Sequence, residues 1–260
     1  MLVGGIILLC LAVGLFIAAQ AQKKKAARLR GAELRAAGDL QETAQEISAE
    51  LGAGHFSTPA MLMGRVECAQ PLISPLAQRP CAYFEMRVTR KYEEPYWTKD
   101  NQGRQIQRTR TQTETINTNK ASTRFHLVDD SGKVLVDPEQ AELDHLTQTV
   151  SKFESSHQPV AAFGTFSLPL TGATMGHRTL GYEYTEKILP IDRPLTVIGT
   201  FNDKMGEPAM RHVKGAKLTI STRSQEEIVN SARKTSTVLT VIAGISGVGG
   251  LLLTILGAVA

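Results

Sequence analysis

The sequence predicts an α+β protein: a mostly β, small barrel-like domain between two transmembrane helices. Two long stretches without charged residues, 2–19 and 238–259, lie near the ends of the chain and enclose a polar, charged body. Within that body, short apolar runs alternate with turn residues, which is typical of strands. Many short strands would leave unpaired backbone groups at the sheet edges unless the sheet closes, and this favours a small closed barrel. At 260 residues, one domain with its membrane segments is expected.

The composition argues against several classes of function. A net charge of +4 is too small to indicate a nucleic-acid partner. The three cysteines and six histidines include no CxxC motif and no histidine pair with ligand spacing, so we expect no zinc and no other cofactor. No phosphate-binding loop or hydrolase motif is present, so we expect no catalytic residues. Neither apolar stretch carries an ionisable group apart from the Cys10 thiol, which argues against a channel or transporter.

The first apolar stretch predicts a transmembrane helix over residues 1–20. Its length lies at the lower edge of what a span needs at about 1.5 Å per residue. Positive charges follow this stretch rather than precede it, at Lys23, Lys24, Lys25, Arg28 and Arg30. This order favours an anchor whose C-terminal side stays in the cytoplasm. A cleaved signal peptide is the alternative, because residues 19–21 are similar to a cleavage site.

Residues 21–59 are predicted to form a basic juxtamembrane segment and a stalk helix. Leu40, Ala44, Ile47 and Leu51 recur on one helical face, which indicates packing on the domain. Gly38, followed by acidic residues, predicts a break and a new helix start. A short self-associating coil is the alternative, and it would make the protein a homo-oligomer.

The domain itself is predicted over residues 60–232. Short strands are expected at 61–68 and 73–76, followed by a long hairpin over 85–117 with a turn at 100–103. A second hairpin over 124–136 encloses the turn Asp129-Asp130-Ser131-Gly132.

The second half of the domain carries weaker signals. Asp137-Pro138 predicts a short helix through about residue 146. Residues 160–170 are predicted as one strand and 172–177 as a loop. A last strand is expected at 218–222. A capping box then opens a helix that continues into the second transmembrane helix, assigned to 233–260.

Residues 179–201 organise this domain and predict a hairpin. Tyr182, Tyr184 and Ile188 lie at even spacing, as in a half-buried strand. Prolines at 190 and 194 break the run, and a short β-rich apolar stretch follows at 195–198.

The same stretch resembles the signature of the GIDE domain, which is also called BAM, for "beside a membrane". The matching residues are Gly181, Glu186, Ile188, Leu189, Leu195, Val197 and Gly199. Three further segments match in order, at 64–84, 125–143 and 217–228, so the resemblance covers residues 60–232. The family includes E3 ubiquitin ligases of mitochondrial and chloroplast membranes. These place the domain between two membrane helices and carry a RING finger after the second.

The resemblance implies two functions. One is a membrane-anchored module for protein interaction or membrane sensing. The other is a component of an E3 ubiquitin ligase whose RING is supplied by another chain, because three cysteines are too few for a RING here. The form without a RING resembles a bacterial member. The family pattern also has a cysteine at Cys81, for which a packed thiol is the expectation rather than a nucleophile.

The long hairpin carries the candidate partner surface. Cations and aromatic residues interleave along it, and this composition suits an acidic protein surface or anionic lipid headgroups. A solvated hairpin with cross-strand salt pairs is the alternative. The candidate residues are Arg87, Arg90, Lys91, Tyr96, Trp97, Arg104 and Arg108.

The second membrane segment carries a stripe of small residues, which predicts close packing against the first. The stripe consists of Ser246, Gly250, Thr254 and Ala258. With the basic cluster after the first segment, these features predict a multi-pass integral membrane protein whose central domain faces the cytoplasm.

Overall fold

A closed ring of five strands forms the centre of the fold. The computed structural model describes residues 2–31, 33–156, 160–169, 177–204, 206–223 and 225–259. In chain order, its elements are α1 (Leu2–Gly31), α2 (Ala37–Leu51), β1 (Ser57–Glu67), β2 (Leu72–Ile73), β3 (Pro80–Lys99), β4 (Gln105–Ser122), β5 (Phe125–Val128), β6 (Lys133–Val136), β7 (Glu142–Asp144), β8 (Thr147–Ser155), β9 (Val160–Phe163), β10 (Phe166–Pro169), β11 (Arg178–Pro190), β12 (Leu195–Asn202), β13 (Ala209–Arg211), β14 (Thr219–Ser221) and α3 (Gln225–Val259).

The ring closes because β1 pairs with both β5 and β12, while β6 and β13 complete the circuit between those two strands. All its pairings are antiparallel except that of β13 with β6. Apolar side chains from opposite strands fill the interior, among them Leu62, Phe125, Val197 and Phe201. The prediction of a small closed barrel is therefore confirmed, and closure removes the edges that these short strands would expose.

A second sheet stands beside the barrel and carries the long hairpin. Its order is β2-β3-β11-β8, and β4 pairs with β3 along most of its length. The β9–β10 hairpin contributes Ala161 and Phe163 to a second apolar cluster with Tyr182 and Tyr184. The predicted hairpin over 85–117 is confirmed, and it extends over β3 and β4.

The prediction of a hairpin over 179–201 is wrong in its pairing. Both strands exist, but β11 pairs with β3 and β8, whereas β12 pairs with β1, β13 and β14. All eight residues of β12 are buried, so this strand needs neighbours on both edges and on both faces. The turn at 191–194 therefore passes the chain from one sheet to the other.

Two further local predictions differ from the structure. The helix predicted after Asp137 is absent within the described residues; positive φ angles at Gln140 and His145 bound the short strand β7, which pairs with β14. The strand predicted over 160–170 is the hairpin β9–β10, which turns at Gly164 with φ +56°. The loop predicted at 172–177 lies outside the described residues except for its last position.

The predicted break before the stalk helix is confirmed, but the cap comes from another part of the chain. The turn between β5 and β6 reaches α2: Asp129 Oδ2 accepts the Ala37 N–H at 2.8 Å and Ser131 Oγ accepts the Gly38 N–H at 2.8 Å. Burial alone would raise the pKa of Asp129, but its hydrogen bonds from Ser131 and the backbone outweigh burial and lower it. A Cβ at Gly38 would lie 2.7 Å from the Ser131 carbonyl oxygen, so the contact requires glycine.

α1 and α3 pack along a seam of small residues. Ser236 Oγ donates to the Ala19 carbonyl at 3.2 Å, and Ala243 and Gly250 are buried at intervals of seven residues. This spacing is that of a left-handed helix pair. The predicted stripe shares Gly250 with the seam, whereas Ser246 and Thr254 are half-buried. The side chain of Ala258 lies outside the described residues.

One segment is long and apolar enough to cross a membrane within the described residues, Lys234–Leu252 in α3. α1 contains a shorter apolar segment, Cys10–Ala21. The described residues thus form a mostly β protein with three helices and one candidate membrane span.

Candidate interaction surface

A buried arginine anchors the base of the long hairpin. Arg90 is 2% exposed, and its guanidinium donates to Thr179 Oγ1 at 2.9 Å, to Glu114 Oε1 at 3.0 Å and to the His177 carbonyl at 2.7 Å. It lies 4.9 Å from the centre of the Tyr92 ring, which in turn stacks on His177. These contacts tie β3 to β4 and β11. Arg90 therefore stabilises the hairpin and is not part of an exposed partner surface, contrary to the sequence-based prediction.

Beyond Arg90, the strand pairing separates the hairpin into two faces. Side chains alternate along β3, and cross-strand partners share a face. On one face, Tyr96 pairs with Arg108 and Glu94 with Arg110. The Arg110–Glu94 salt bridge measures 2.8 Å, and the hydrogen bond from Arg110 lowers the pKa of Glu94. Charges on this face are thus largely paired with each other.

The opposite face is more open. It presents Arg87, Lys91 and Trp97 from β3 and Phe153 from β8; we call these four residues the Trp97 face. Trp97 is 67% exposed and Phe153 is 45% exposed. The Lys91 ammonium lies 5.7 Å from the centre of the Phe153 ring. The structure therefore brings cations and exposed aromatic rings together on one side of the sheet.

The remaining candidate residues lie elsewhere. Tyr96 and Arg108 belong to the opposite face, and Tyr96 is covered by the Arg110 guanidinium at 5.5 Å. Arg104 lies in the turn and forms a salt bridge of 3.0 Å with Asp100. Phe153 was not predicted from the sequence. The alternation Ser151-Phe153-Ser155, with one aromatic residue among small polar ones, is the signal that marks it.

The signature glutamate has a structural role. Glu186 is fully buried, and its carboxylate accepts the Leu76 N–H at 2.6 Å, the Ala77 N–H at 3.1 Å and the Thr149 hydroxyl at 2.7 Å. It thereby fixes the loop between β2 and β3, and with it the start of the long hairpin. Charge-assisted hydrogen bonds of this kind are stronger than neutral ones.

The signature glycine at 181 permits a close contact beneath the Trp97 face. A Cβ at this position would meet the Glu154 carbonyl oxygen and the ring of Phe153. Glycine thus leaves room for the Phe153 ring to lie against β11. Two of the residues that carry the resemblance therefore have structural roles: Glu186 fixes the base of the hairpin, and Gly181 leaves room for the exposed ring of Phe153.

Cys81 lacks the environment of a nucleophile. The thiol is buried and its sulfur lies 3.6 Å from the Leu72 carbonyl. Burial, and next the negative charge of Glu186, raise its pKa to about 11. The thiol stays protonated near neutral pH, and the thiolate is the reactive form. In the described residues, no group of three or more His, Cys, Asp or Glu side chains could hold a metal ion.

A comparison with protein families relates the chain to a known family. The model of the GIDE family, described as E3 ubiquitin ligase, matches residues 93–257. The matched region runs from the outer part of β3 to the end of α3 and covers more than half of the chain. No curated protein and no solved structure matches the chain.

Proposed function

Because this chain belongs to the GIDE family, we propose that it is a membrane-anchored interaction module whose Trp97 face recognises a protein partner. The observation that carries the proposal is the exposure of Trp97 on a hairpin fixed at its base by Arg90. Large exposed aromatic groups are uncommon on isolated soluble surfaces, and they are enriched among residues that dominate binding energy. A paired strand also presents the indole with little conformational freedom to lose.

The charge of the hairpin indicates the chemistry of the partner. Arg87 and Lys91 lie on the same face of β3 as Trp97, ten and six residues from it along the strand, and Arg87 forms a salt bridge of 3.5 Å with Glu85. The Lys91 ammonium in particular would attract an acidic protein surface and raise its association rate. Anionic lipid headgroups offer the same attraction, and they are the alternative ligand. A protein partner is favoured because the exposed rings lie on an open sheet face, where a complementary surface can cover both of them.

A point variant distinguishes the two faces of the hairpin. Trp97→Ala is expected to reduce recovery of the partner about tenfold or more in a crosslinking pull-down from native membranes. Tyr96→Ala is the matched control, since it removes an aromatic ring from the adjacent position on the opposite face. Equal loss with both variants, or no loss with Trp97→Ala, would reject the Trp97 face. Binding to vesicles with anionic lipid, but to no protein, would favour the headgroup alternative.

We further propose that α1 and α3 both cross the membrane and that the β domain faces the cytoplasm. The support is the packing of α1 on α3 at Ala19 and Ser236, and the basic residues on the domain side of each helix. A Thr118→Cys variant, at an exposed position, is expected to resist an impermeant thiol reagent in intact cells and to react after permeabilisation. Equal labelling before permeabilisation would place the domain on the other side.

The second candidate function follows from the description of the family. As a GIDE protein, the chain could act within an E3 ubiquitin ligase whose RING finger belongs to another chain. The same pull-down separates the two candidates. Recovery of a RING protein or a ubiquitin-conjugating enzyme through the Trp97 face would favour the ligase, and recovery of partners of other classes would favour a general interaction module.

A further inference from the structure

The outer strand of the second sheet has a long unpaired edge. β4 extends over 18 residues and pairs on one side with β3; within the described part of the chain, no strand pairs with its other side. It contains neither proline nor glycine. An exposed edge of this length is a template for pairing with another strand, and natural proteins usually protect such edges.

The alternation of hydrogen-bonded and non-hydrogen-bonded pairs in the hairpin determines which residues of β4 have backbone groups at this edge. At the turn, the Asp100 N–H donates to the Arg104 carbonyl at 2.9 Å, so this pair is hydrogen-bonded. Hydrogen-bonded and non-hydrogen-bonded pairs then alternate along the ladder. This alternation places Pro95 and Thr109 in a non-hydrogen-bonded pair, which fits the absence of an N–H group in proline. The odd-numbered residues from 105 to 115 therefore direct their N–H and C=O groups away from β3.

We propose that two copies of this chain associate by antiparallel pairing of their β4 strands about a two-fold axis at Thr111. In this register, Thr109 of one copy lies opposite Thr113 of the other, and Arg108 lies opposite Glu114. Within the described residues, Arg108 forms no salt bridge in its own chain. The outward backbone groups supply about ten hydrogen bonds between the copies.

Charge selects this register over its neighbours. An axis at Thr109 would place Arg108 opposite Arg110, and an axis at Arg110 would place Arg110 opposite itself; like charges in cross-strand pairs are destabilising. An axis at Thr113 forms no ion pair. An axis at Gln112 would pair Arg110 with Glu114, and both of these groups already form salt bridges, Arg110 with Glu94 at 2.8 Å and Glu114 with Arg90 at 3.0 Å. In the register about Thr111, only Glu114 is already paired within the described residues, and Arg108 gains its first acidic partner.

The pairing has a geometric consequence for binding. Antiparallel strands in one sheet keep odd-numbered side chains on a common side, so the Trp97 faces of both copies lie on the same side of one continuous sheet. A partner with two binding sites would then gain from a raised effective concentration. The strand pairing itself does not depend on the proposed function of the Trp97 face.

Cysteine crosslinking of the full chain in its membrane tests the register. In a Cys10→Ala background, Thr111→Cys is expected to give about tenfold more disulfide-linked dimer than Thr109→Cys, because residues at the axis lie about 5.5 Å apart between Cα atoms. The two copies of residue 109 would be separated by about 14 Å along the strands. Both threonines are exposed and their side chains point to the same side, so the two variants are matched.

A charge-reversal variant provides a second test of the register. Arg108→Glu, made in the Thr111→Cys chain, is expected to reduce the crosslinked dimer several-fold, because it places two glutamates opposite each other. Crosslinking of Thr111→Cys that does not exceed that of Thr109→Cys would overturn the proposal, and so would a yield unchanged by Arg108→Glu. Neither measurement requires a partner, so a failed pull-down would leave the result unaffected.

Discussion

Replacement of Glu186 by alanine is expected to lower the free energy of unfolding by about 4 kcal/mol. The carboxylate is fully buried and accepts hydrogen bonds from Leu76, Ala77 and Thr149. Its removal leaves the two backbone N–H groups without acceptors, and each unsatisfied group costs about 1–3 kcal/mol. The Thr149 hydroxyl keeps the carbonyl of residue 186 as an acceptor, at 3.3 Å. The thermal transition of the full chain in detergent should fall by about 10 °C.

Two further variants of β11 test whether the loss of stability comes from the Glu186 carboxylate. Glu183→Ala, on the exposed side of β11, should change stability by less than about 0.5 kcal/mol. Glu186→Gln keeps the shape of the side chain and one of its two acceptor oxygens, so we expect an intermediate decrease in the free energy of unfolding. If Glu186→Ala melted with the parent chain, the carboxylate would not be what holds the loop between β2 and β3.

The elements predicted well from the sequence are those specified by local residues. The hairpin β5–β6 follows from two apolar runs around an Asp-Asp-Ser-Gly turn, and the break before α2 follows from Gly38. The barrel was predictable because short strands must close on themselves. For the hairpin and the break, the residues that predict the element lie within it or beside it in the chain, whereas closure of the barrel pairs β1 with β12, which are far apart in the sequence.

The elements predicted badly depend on distant partners. Arg90 has the composition of a surface residue, but its partners Glu114, His177 and Thr179 lie 24, 87 and 89 positions away. The cap of α2 comes from Asp129, which lies 92 positions from Ala37. β7 replaces a predicted helix because β14 offers it a strand partner. No local pattern contains these contacts.

The sequence predicted which types of residue the hairpin surface carries, but not how these residues are distributed between its two faces. Strand alternation places Lys91 and Trp97 on one face and Tyr96 on the other, and this follows from residue parity alone. The alternation around Phe153 marks it as an outward-facing strand residue, but its place beside Lys91 depends on the pairing of β8 with β11, which no local pattern contains. The register also determines where the hairpin can be shortened without misaligning its strands. Joining residue 93 to residue 105 would misalign the strands, since Glu93 pairs with Thr111.

Shortening the hairpin in register tests whether the hairpin is the partner-binding element. Residues 95–109 are replaced by Asn-Gly, so that a two-residue turn joins Glu94 to Arg110. These two residues form a hydrogen-bonded pair, because such pairs recur at every second position from the Asp100–Arg104 pair. The deleted residues include Trp97 and none of the members of the apolar core clusters. The Arg90 contacts at the hairpin base remain.

The measurement is quantitative recovery of crosslinked proteins from native membranes, made alongside the thermal transition of the same variant. We expect a thermal transition within about 3 °C of that of the parent chain, because exposed residues contribute little to stability. We also expect that proteins crosslinked by the parent chain are no longer recovered. Undiminished recovery by a folded, shortened chain would show that partners bind elsewhere, and collapse of the fold would show that the outer hairpin is structural.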